Sequence, residues 1–567
     1  MSKNKKTFII FILIAVLVFG GTFGIITLIN NSGGDREVTE EDAVKDMEKL
    51  YKKIHVNTLE PIKDNVDLSA ADIQQALPDI SKYPPQVDES TENYVEIFSS
   101  TEKATVSAGS GADNDRWLVD MAQAFNSSGA SVNGQSVSVR IRGIASGLGV
   151  DYIASGKYLP DAFSPSNELW GDMLESYGVN IKMAEKKLTG NVAGIVLTKT
   201  EHDKITEKYG GVTVESIIKA VSGGEIAMGY TNPFASSTGA NFLISTLYTF
   251  NSQNPLAEDA KGAFEDFQTN IPYVAYTTLQ MKESAASGAL NGFVFEYQQY
   301  MNTPEFKASY VFTPFGVRHD SPVYEIGELS DMKKQILRQF IDFCKTDESQ
   351  AAAAEKGFNG HDDYVCDIPN ISGKALPAAQ KLWKEKKTGN REIIAVFVAD
   401  ISGSMSGDSI LRLKESLLTG SKFINAESSI GLVTFSDDVN IALPIGKFDL
   451  NQRSLFTGAV RNMYPNGGTA MFDGIVVASD MLHEAKQNNP NAKCMMFVLT
   501  DGETNQGSNL RNTRRMIEGL RFPIYSIGYN ANIEALATIS QINEAASINA
   551  DTDDVIYQIQ SLFNAEM

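Results

Sequence analysis

Short apolar runs that read as strands alternate with stretches that read as helices through most of this chain, which predicts an α/β protein. Three observations carry that expectation. Between residues 93 and 385, strand-like segments at 94–99, 137–143, 191–197 and 226–230 are separated by helix-like segments such as 115–126 and 214–221. After residue 386 a second alternation begins, with wholly apolar runs at 393–399 (IIAVFVA) and 495–499. Such runs are what a parallel strand buried on both faces requires. Ahead of both lies residues 7–29, one uncharged apolar stretch. The expected organisation is a stub at 1–6, a transmembrane helix at 7–29, a polar stalk at 30–92, and two α/β domains at 93–385 and 386–567, each with a mostly parallel sheet.

The N-terminal run is justified by length and charge. At about 1.5 Å per residue it can cross a hydrocarbon core of about 30 Å. Lys3, Lys5 and Lys6 precede it, and Asp35, Glu37, Glu40, Glu41 and Asp42 follow it. The excess of positive charge before the span predicts a cytoplasmic N-terminus and a bulk outside the cell. No small-residue cleavage signal follows and no cysteine lies nearby, which favours a retained single-pass signal-anchor over a cleaved leader. In the stalk, a helix is expected over 39–56, with Thr39 as its cap and Leu50 and Ile54 on one face. Tyr83-Pro84-Pro85-Gln86 then breaks regular structure.

Composition sets further bounds. A chain of 567 residues with 43% apolar content has room for several cores, and its net charge of −21 argues against nucleic acid as a partner. There are three cysteines. Cys344 and Cys366 fall in one expected domain, where a disulfide and two free thiols are both compatible with the sequence; Cys494 opens an apolar strand and reads as a buried thiol.

The chemistry concentrates after the second boundary. Asp400-Ile401-Ser402-Gly403-Ser404 follows one apolar strand and precedes a stretch with Ile410, Leu413 and Leu417 at helical spacing, so its side chains sit on a strand-to-helix loop. Open α/β sheets bind ligands at that end. Gly467-Gly468-Thr469 forms a second loop before a helix-like run, and Thr500-Asp501-Gly502 ends another strand. Two carboxylates and three hydroxyls make an all-oxygen set suited to a hard cation.

This ordered set, Asp400, Ser402, Ser404, Thr469 and Asp501, resembles the metal-ion-dependent adhesion site (MIDAS) of von Willebrand factor A (VWA) domains. The resemblance covers roughly residues 389–567 and implies an open, Rossmann-like sheet. It also implies that Ser402, Ser404 and Thr469 ligate Mg²⁺ directly while Asp400 and Asp501 act largely through waters. Mn²⁺ and Ca²⁺ are compatible with the same donors. The cation would keep a position for a carboxylate from a partner.

The preceding domain resembles two-lobed bacterial extracellular solute-binding proteins, clearest in GGEIAMGYTNPFASSTGANFL before residue 243 and in the late helix pair over 335–358. Three Ser/Gly loops each precede a helix: 107–113, 146–149 and 236–239. Hydroxyls plus free N–H groups at helix starts can hold an oxyanion without fixed positive charge. Ser107, Ser110, Ser146, Ser236 and Ser237 are therefore the candidate solute-binding residues.

Catalytic patterns are absent or broken. Ser100-Thr101-Glu102-Lys103 matches S-x-x-K and Lys387-Thr388-Gly389 matches K-T-G, but no S-D-N element stands between them. The expected function is that of a non-enzymatic, membrane-anchored cell-surface binding or adhesion protein. Its divalent-cation site would engage an acidic group on a protein partner. The alternative is a solute-capturing component of a transport or sensing complex, in which the VWA domain docks a permease or receptor.

Overall fold

The computed structural model describes residues 38–67, 77–106, 114–271, 273–275, 290–366, 368, 372–387, 391–502 and 504–529, together with 281, 285, 536, 539–540 and 547–549. The expected membrane span at 7–29 lies outside the described residues. Among those described, no helix is long and apolar enough to cross a membrane.

The first element among the described residues is a helix, Glu40–Tyr51, capped as expected by the Thr39 hydroxyl, which accepts from Asp42 N at 3.2 Å. A short strand β1 (Val56–Thr58) follows. Next come the strands of a first lobe: β2 (Asn93–Ser99), β3 (Ser131–Val132), β4 (Gln135–Gly143), β5 (Ala162–Ser164) and β6 (Ile181–Glu185). The chain crosses to a second lobe with β7 (Val192–Thr198), β8 (Met228–Thr231), β9 (Tyr273–Ala275), β10 (Gly292–Glu296) and β11 (Tyr310–Arg318), then returns to the first through β12 (Val323–Ile326). The two strand-to-strand crossings are tied by His319 N donating to Asn191 O at 2.9 Å.

Both sheets of this central body are mixed rather than mostly parallel. The first runs β3-β4-β2-β5-β12-β6 and the second β11-β7-β10-β8-β9. Apart from the β3–β4 hairpin, the antiparallel pairs cluster where the chain crosses: β12 against β5 and β6, and β7 against β11 and β10. Helical crossovers dictate parallel pairing, but a strand returning directly from the other lobe enters from the opposite end. A helix at Ala375–Lys386 closes this body, with Trp383 Nε1 donating to Tyr230 OH at 2.6 Å and Gln380 Nε2 to Pro233 O at 2.9 Å.

The C-terminal body is built on β13 (Ile393–Asp400), β14 (Ser429–Phe435), β15 (Val439–Lys447), β16 (Lys493–Thr500), β17 (Ile524–Gly528) and β18 (Ser547–Asn549). β13 is buried along its whole length. Its alternate residues Ile393, Ala395, Phe397 and Ala399 face helices Asp408–Gly420 and Leu450–Arg461, while Ile394, Val396 and Val398 face helix Met471–Asn488. The sheet order is β1-β15-β14-β13-β16-β17-β18, parallel throughout except between β14 and β15.

The first strand in that order corrects the stalk expected at 30–92. β1 pairs in parallel with β15, Val56 opposite Val439, and so extends the C-terminal sheet. The helix ahead of it lies on helix Leu510–Leu520, burying Ala43 and Met47 completely. Ala43 and Met47 lie one turn apart, the spacing of a buried stripe; the surrounding charges mask it in the sequence. Beyond β1, Asp64 N donates to Ser454 O at 3.1 Å, and Asp64 pairs with Arg461 at 2.8 Å. Residues 77–92 join the first lobe instead, for example through Gln86 N on Ile141 O at 2.7 Å. The two-lobed body is therefore inserted between the first strand and the remaining strands of the C-terminal sheet. None of the three cysteines forms a disulfide; Cys344 and Cys494 are buried and Cys366 is half-buried.

Candidate functional site

Three loops meet at the carboxyl end of the C-terminal sheet. Asp400 ends β13 and is fully buried; its Oδ1 accepts from Ser402 N at 2.7 Å and its Oδ2 from Thr500 Oγ1 at 2.5 Å. Ser402 Oγ lies 3.0 Å from Ser404 Oγ, which donates to Asp501 Oδ1 at 2.9 Å. The Thr469 loop closes on the same point, since Gly403 N donates to Gly467 O at 2.9 Å. Gly467 has φ +70°, and a Cβ there would stand 2.4 Å from Asp437 Oδ2, so this turn needs glycine.

Helix capping does not account for these hydroxyls. Ser402 makes no side-chain cap bond, and helices Asp408–Gly420 and Met471–Asn488 start at Gly407 and Ala470 without one. Burial pushes Asp400 up to about 6, against the hydrogen bonds from Ser402 and Thr500, and neighbouring Asp501 adds to the rise. Burial also raises Asp501, opposed by Ser404. Among the described residues no Lys or Arg side chain pairs with either carboxylate. Two poorly solvated carboxylates below three hydroxyls, with no cation of the protein's own, fit a small divalent ion. Among the described residues no cluster of three or more His, Cys, Asp or Glu side chains is placed to hold a metal, so a cation here would rest largely on hydroxyls.

Sequence reasoning missed the supporting shell. Thr500 orients Asp400; Asp437 Oδ1 accepts from Gly468 N at 2.8 Å and from Gln506 Nε2 at 2.7 Å; Asn505 Oδ1 accepts from Thr469 N at 2.9 Å. Thr500 was findable, as a lone polar residue ending an apolar strand beside Asp501. Asp437 and Asn505 lie on loops whose approach to the Thr469 turn has no local signal.

The candidate solute residues are placed differently. Ser107 and Ser110 lie outside the described residues. Ser146 Oγ faces Ser166, accepting from its N at 3.3 Å. Ser236 Oγ caps its own helix, Ser237–Phe250, and accepts from Thr231 Oγ1 at 2.7 Å. Ser237 Oγ accepts from Trp170 Nε1 at 2.8 Å, across the two lobes. The three described hydroxyls thus each take a hydrogen bond from within the protein, and the loops that carry them lie close together, where a Cβ on Gly147 would stand 2.2 Å from Phe234 O.

What the lobes share is a buried polar cluster. His319, fully buried, sits 2.9 Å from Glu296 through Nδ1 and about equally far from Asn167 and Asn241 through Nε2, at 3.1 and 3.2 Å. Gln298 Nε2 bridges to Asp115 at 2.9 Å. Lys103, fully buried, donates to Ser100 Oγ and to Ser164 O at 3.0 Å, with Glu102 at 3.7 Å. Burial lowers the Lys103 ammonium from its ordinary range, opposed by Glu102 and Glu296. The Ser100 and Lys103 of the S-x-x-K pattern do meet, with the ammonium held by surrounding acceptors. Buried Ser164 Oγ and Asn167 Oδ1 have no hydrogen-bond partner among the described residues.

A two-lobed mixed-sheet body inserted into an open sheet with an oxygen-lined loop cluster defines a two-module binding protein. Comparison with known families agrees: residues 106–359 match the bacterial extracellular solute-binding protein family, and residues 395–564 match the von Willebrand factor type A domain. The chain carries one domain of each family.

Among similar proteins, inter-alpha-trypsin inhibitor heavy chain H3 of Mus musculus is 29% identical over 174 residues, covering 28% of this chain and 19% of that protein. Heavy chain H1 of Mesocricetus auratus is 29% identical over 184 residues, covering 30% and 20%. The chain thus spans about a fifth of the length of the curated relatives it matches. Among solved structures, iron-bound HitA from Pseudomonas aeruginosa aligns at 12% identity with a TM-score of 0.35, covering 53% of this chain and 99% of that one.

Proposed function

We propose that this protein is a membrane-anchored, cell-surface binding or adhesion protein whose VWA domain holds a divalent cation and engages a carboxylate of a protein partner through it. The observation that supports this best is the convergence of Ser402, Ser404 and Asp501 within hydrogen-bond distance above buried Asp400, with the Thr469 loop closed against them. Ser402, Ser404 and Thr469 would hold the ion directly, and Asp400 and Asp501 largely through water. Mg²⁺ suits this small, hydroxyl-rich set, and Mn²⁺ and Ca²⁺ draw on the same donors. The ion supplies a lightly neutralised positive charge to which one more oxygen can bind. The apolar run at 7–29, preceded by lysines, supports a single-pass anchor with the bulk outside the cell. The role proposed is binding without catalysis.

A second reading, solute capture for transport or sensing, is favoured by the unpartnered Ser164 Oγ and Asn167 Oδ1 between the lobes. Cluster charge disfavours a free oxyanion, since Glu102, Glu296 and Asp115 outnumber Lys103 there.

Thermal unfolding of the full chain in Mg²⁺ or Mn²⁺ tests the first reading, because a ligand of the native state alone adds RT ln(1 + [L]/Kd) to stability. The C-terminal transition should rise with cation and not in Asp400→Ala. No rise at millimolar cation, with a carboxylate mimic present, sinks the reading.

A further inference from the structure

A pocket of about 280 Å³ opens beside the candidate metal loops. Its wall includes Leu59, Ile62, Ile401, Ala442, Met463 and Tyr464. Two features tie it to the loop cluster. Ile401 stands between Asp400 and Ser402, and pocket residue Asn466 donates its N–H to Ile401 O at 2.8 Å just before Gly467 turns to meet Gly403. The other wall comes from the segment after β1, residues 59–62, which lies outside the stretch matched to the VWA family. That segment is held against the body: Leu59 N donates to Ile441 O at 3.0 Å, and a Cβ on Gly458 would stand 1.7 Å from Ile62 O. The pocket is thus a product of the insertion topology of this chain.

Its surface is unusually apolar for a solvent-facing site. Ten large hydrophobic side chains are well exposed among the described residues, and three of them, Leu59, Ile62 and Tyr464, ring this one opening, at 45%, 68% and 77% exposure. Exposed apolar groups scattered singly need no explanation, whereas a cluster beside a polar site marks a contact surface. The volume falls just below the lower end for small-molecule sites, about 300 Å³, and suits one large side chain. The remaining polar lining is mostly neutral, with Glu60 the single charged residue among its described lining. A carboxylate would be repelled by Glu60 and find its positive counterpart only at the cation.

We infer that the VWA domain recognises a two-part determinant on a partner protein: an Asp or Glu carboxylate that reaches the cation, and a bulky apolar side chain a few residues away that fills the pocket between residues 59–62 and the Met463–Tyr464 turn. The inference rests on the cation reading above and adds the apolar half of the partner. The adjacency of pocket and loops sets the order: a carboxylate at one end of a short extended segment and an apolar anchor at the other.

The test uses the full chain in Mg²⁺ and labelled synthetic peptides in which Glu precedes or follows Leu by one, two or three positions. Each is paired with a Leu→Ser and a Glu→Gln version. Burying a leucine strengthens binding roughly 10- to 100-fold, so at one spacing the Glu/Leu peptide should exceed its Leu→Ser version by that factor. The surface double variant Ile62→Ser/Tyr464→Ser should erase that difference while keeping the Mg²⁺ shift in unfolding temperature, which also reports that it folds. Ile62→Arg, which blocks the opening, should do the same. Asp400→Ala should abolish binding of every peptide. Equal binding of Leu and Ser peptides with the Mg²⁺ shift intact overturns the apolar half and leaves the cation reading standing. Binding of no peptide, or loss of the Mg²⁺ shift from the parent chain, overturns both. Self-association of the parent chain that the double variant abolishes makes the pocket a face between copies and likewise overturns the inference.

Discussion

Met47→Ala distinguishes a helix that is part of the C-terminal domain from one that merely leads to it. Met47 is 1% exposed and sits in the core with Ala43, Val396, Val398, Met516 and Leu520. Truncating a fully buried Met costs about 2–5 kcal/mol, and the slightly better helix propensity of Ala returns only a few tenths. In a domain of this size about 1 kcal/mol moves the midpoint by roughly 2–4 °C, so a fall on the order of 5–15 °C is expected. The protein provides its own way to assign the transition. Its three tryptophans, Trp117, Trp170 and Trp383, are all buried in the inserted two-lobed body. Tryptophan fluorescence therefore follows that body alone, whereas calorimetry follows both. Met47→Ala should lower the calorimetric transition that fluorescence does not see. Exposed Met183→Ala should shift neither beyond about 0.5 kcal/mol. If Met47→Ala leaves that transition in place, residues 40–51 are a tether and the insertion topology is wrong.

Other expectations follow from the same geometry. Asp400 is raised from 3.8 to about 6 by burial, so the metal-free native state binds the extra proton between those values. Stability from that proton is present below the unfolded value and lost as pH rises through about 6, leaving an ionised carboxylate that costs about 3 kcal/mol at neutral pH. Asp400→Asn should accordingly stabilise the metal-free chain at pH 7 by roughly 1–3 kcal/mol while abolishing the Mg²⁺ shift, and the parent chain's Mg²⁺ shift should fade below about pH 6; calorimetry across pH 5–8 checks both. Thr500→Val removes the 2.5 Å donor that orients Asp400 and should weaken Mg²⁺ binding roughly 10- to 100-fold by titration calorimetry without unfolding the domain. Lys103→Met leaves Glu102 and Glu296 without their buried cation and should destabilise the two-lobed body by about 3–5 kcal/mol, lowering the fluorescence transition and sparing the other.

The sequence carries a pattern where local physics is enough to specify structure, and is silent where distant segments decide. β13 is legible because a strand covered on both faces must be apolar without interruption, and Ile393 to Ala399 are. The five candidate oxygen ligands are legible because each lies where a strand ends or a helix is about to start, and those positions are recognisable along the chain. Val56 opposite Val439 is not, since a three-residue strand has too little pattern of its own to show its partner, here 383 residues away. The inward hydroxyls are ambiguous for a related reason. Ser146, Ser236 and Ser237 look the same in sequence whether they face a solute or one another; only the closeness of Ser166, Thr231 and Trp170 decides. The mixed pairing in the two lobes reflects strands that cross directly from one lobe to the other, which strand-and-helix alternation does not encode.

The insertion of one body into the sheet of the other sets how tension passes through the molecule. A pull on the chain ahead of residue 38 enters the helix Glu40–Tyr51 and β1, and passes laterally through β15 and β14 to β13, whose end holds Asp400. The same sheet that receives the load carries the loops where a partner would grip. The two-lobed body, joined at both ends to this frame, hangs beside the load path as a side branch. Force between the N-terminal side and a partner at the loops would therefore strain hydrogen-bonded strands of a single sheet and leave the lobes free to open or close under solvent forces alone.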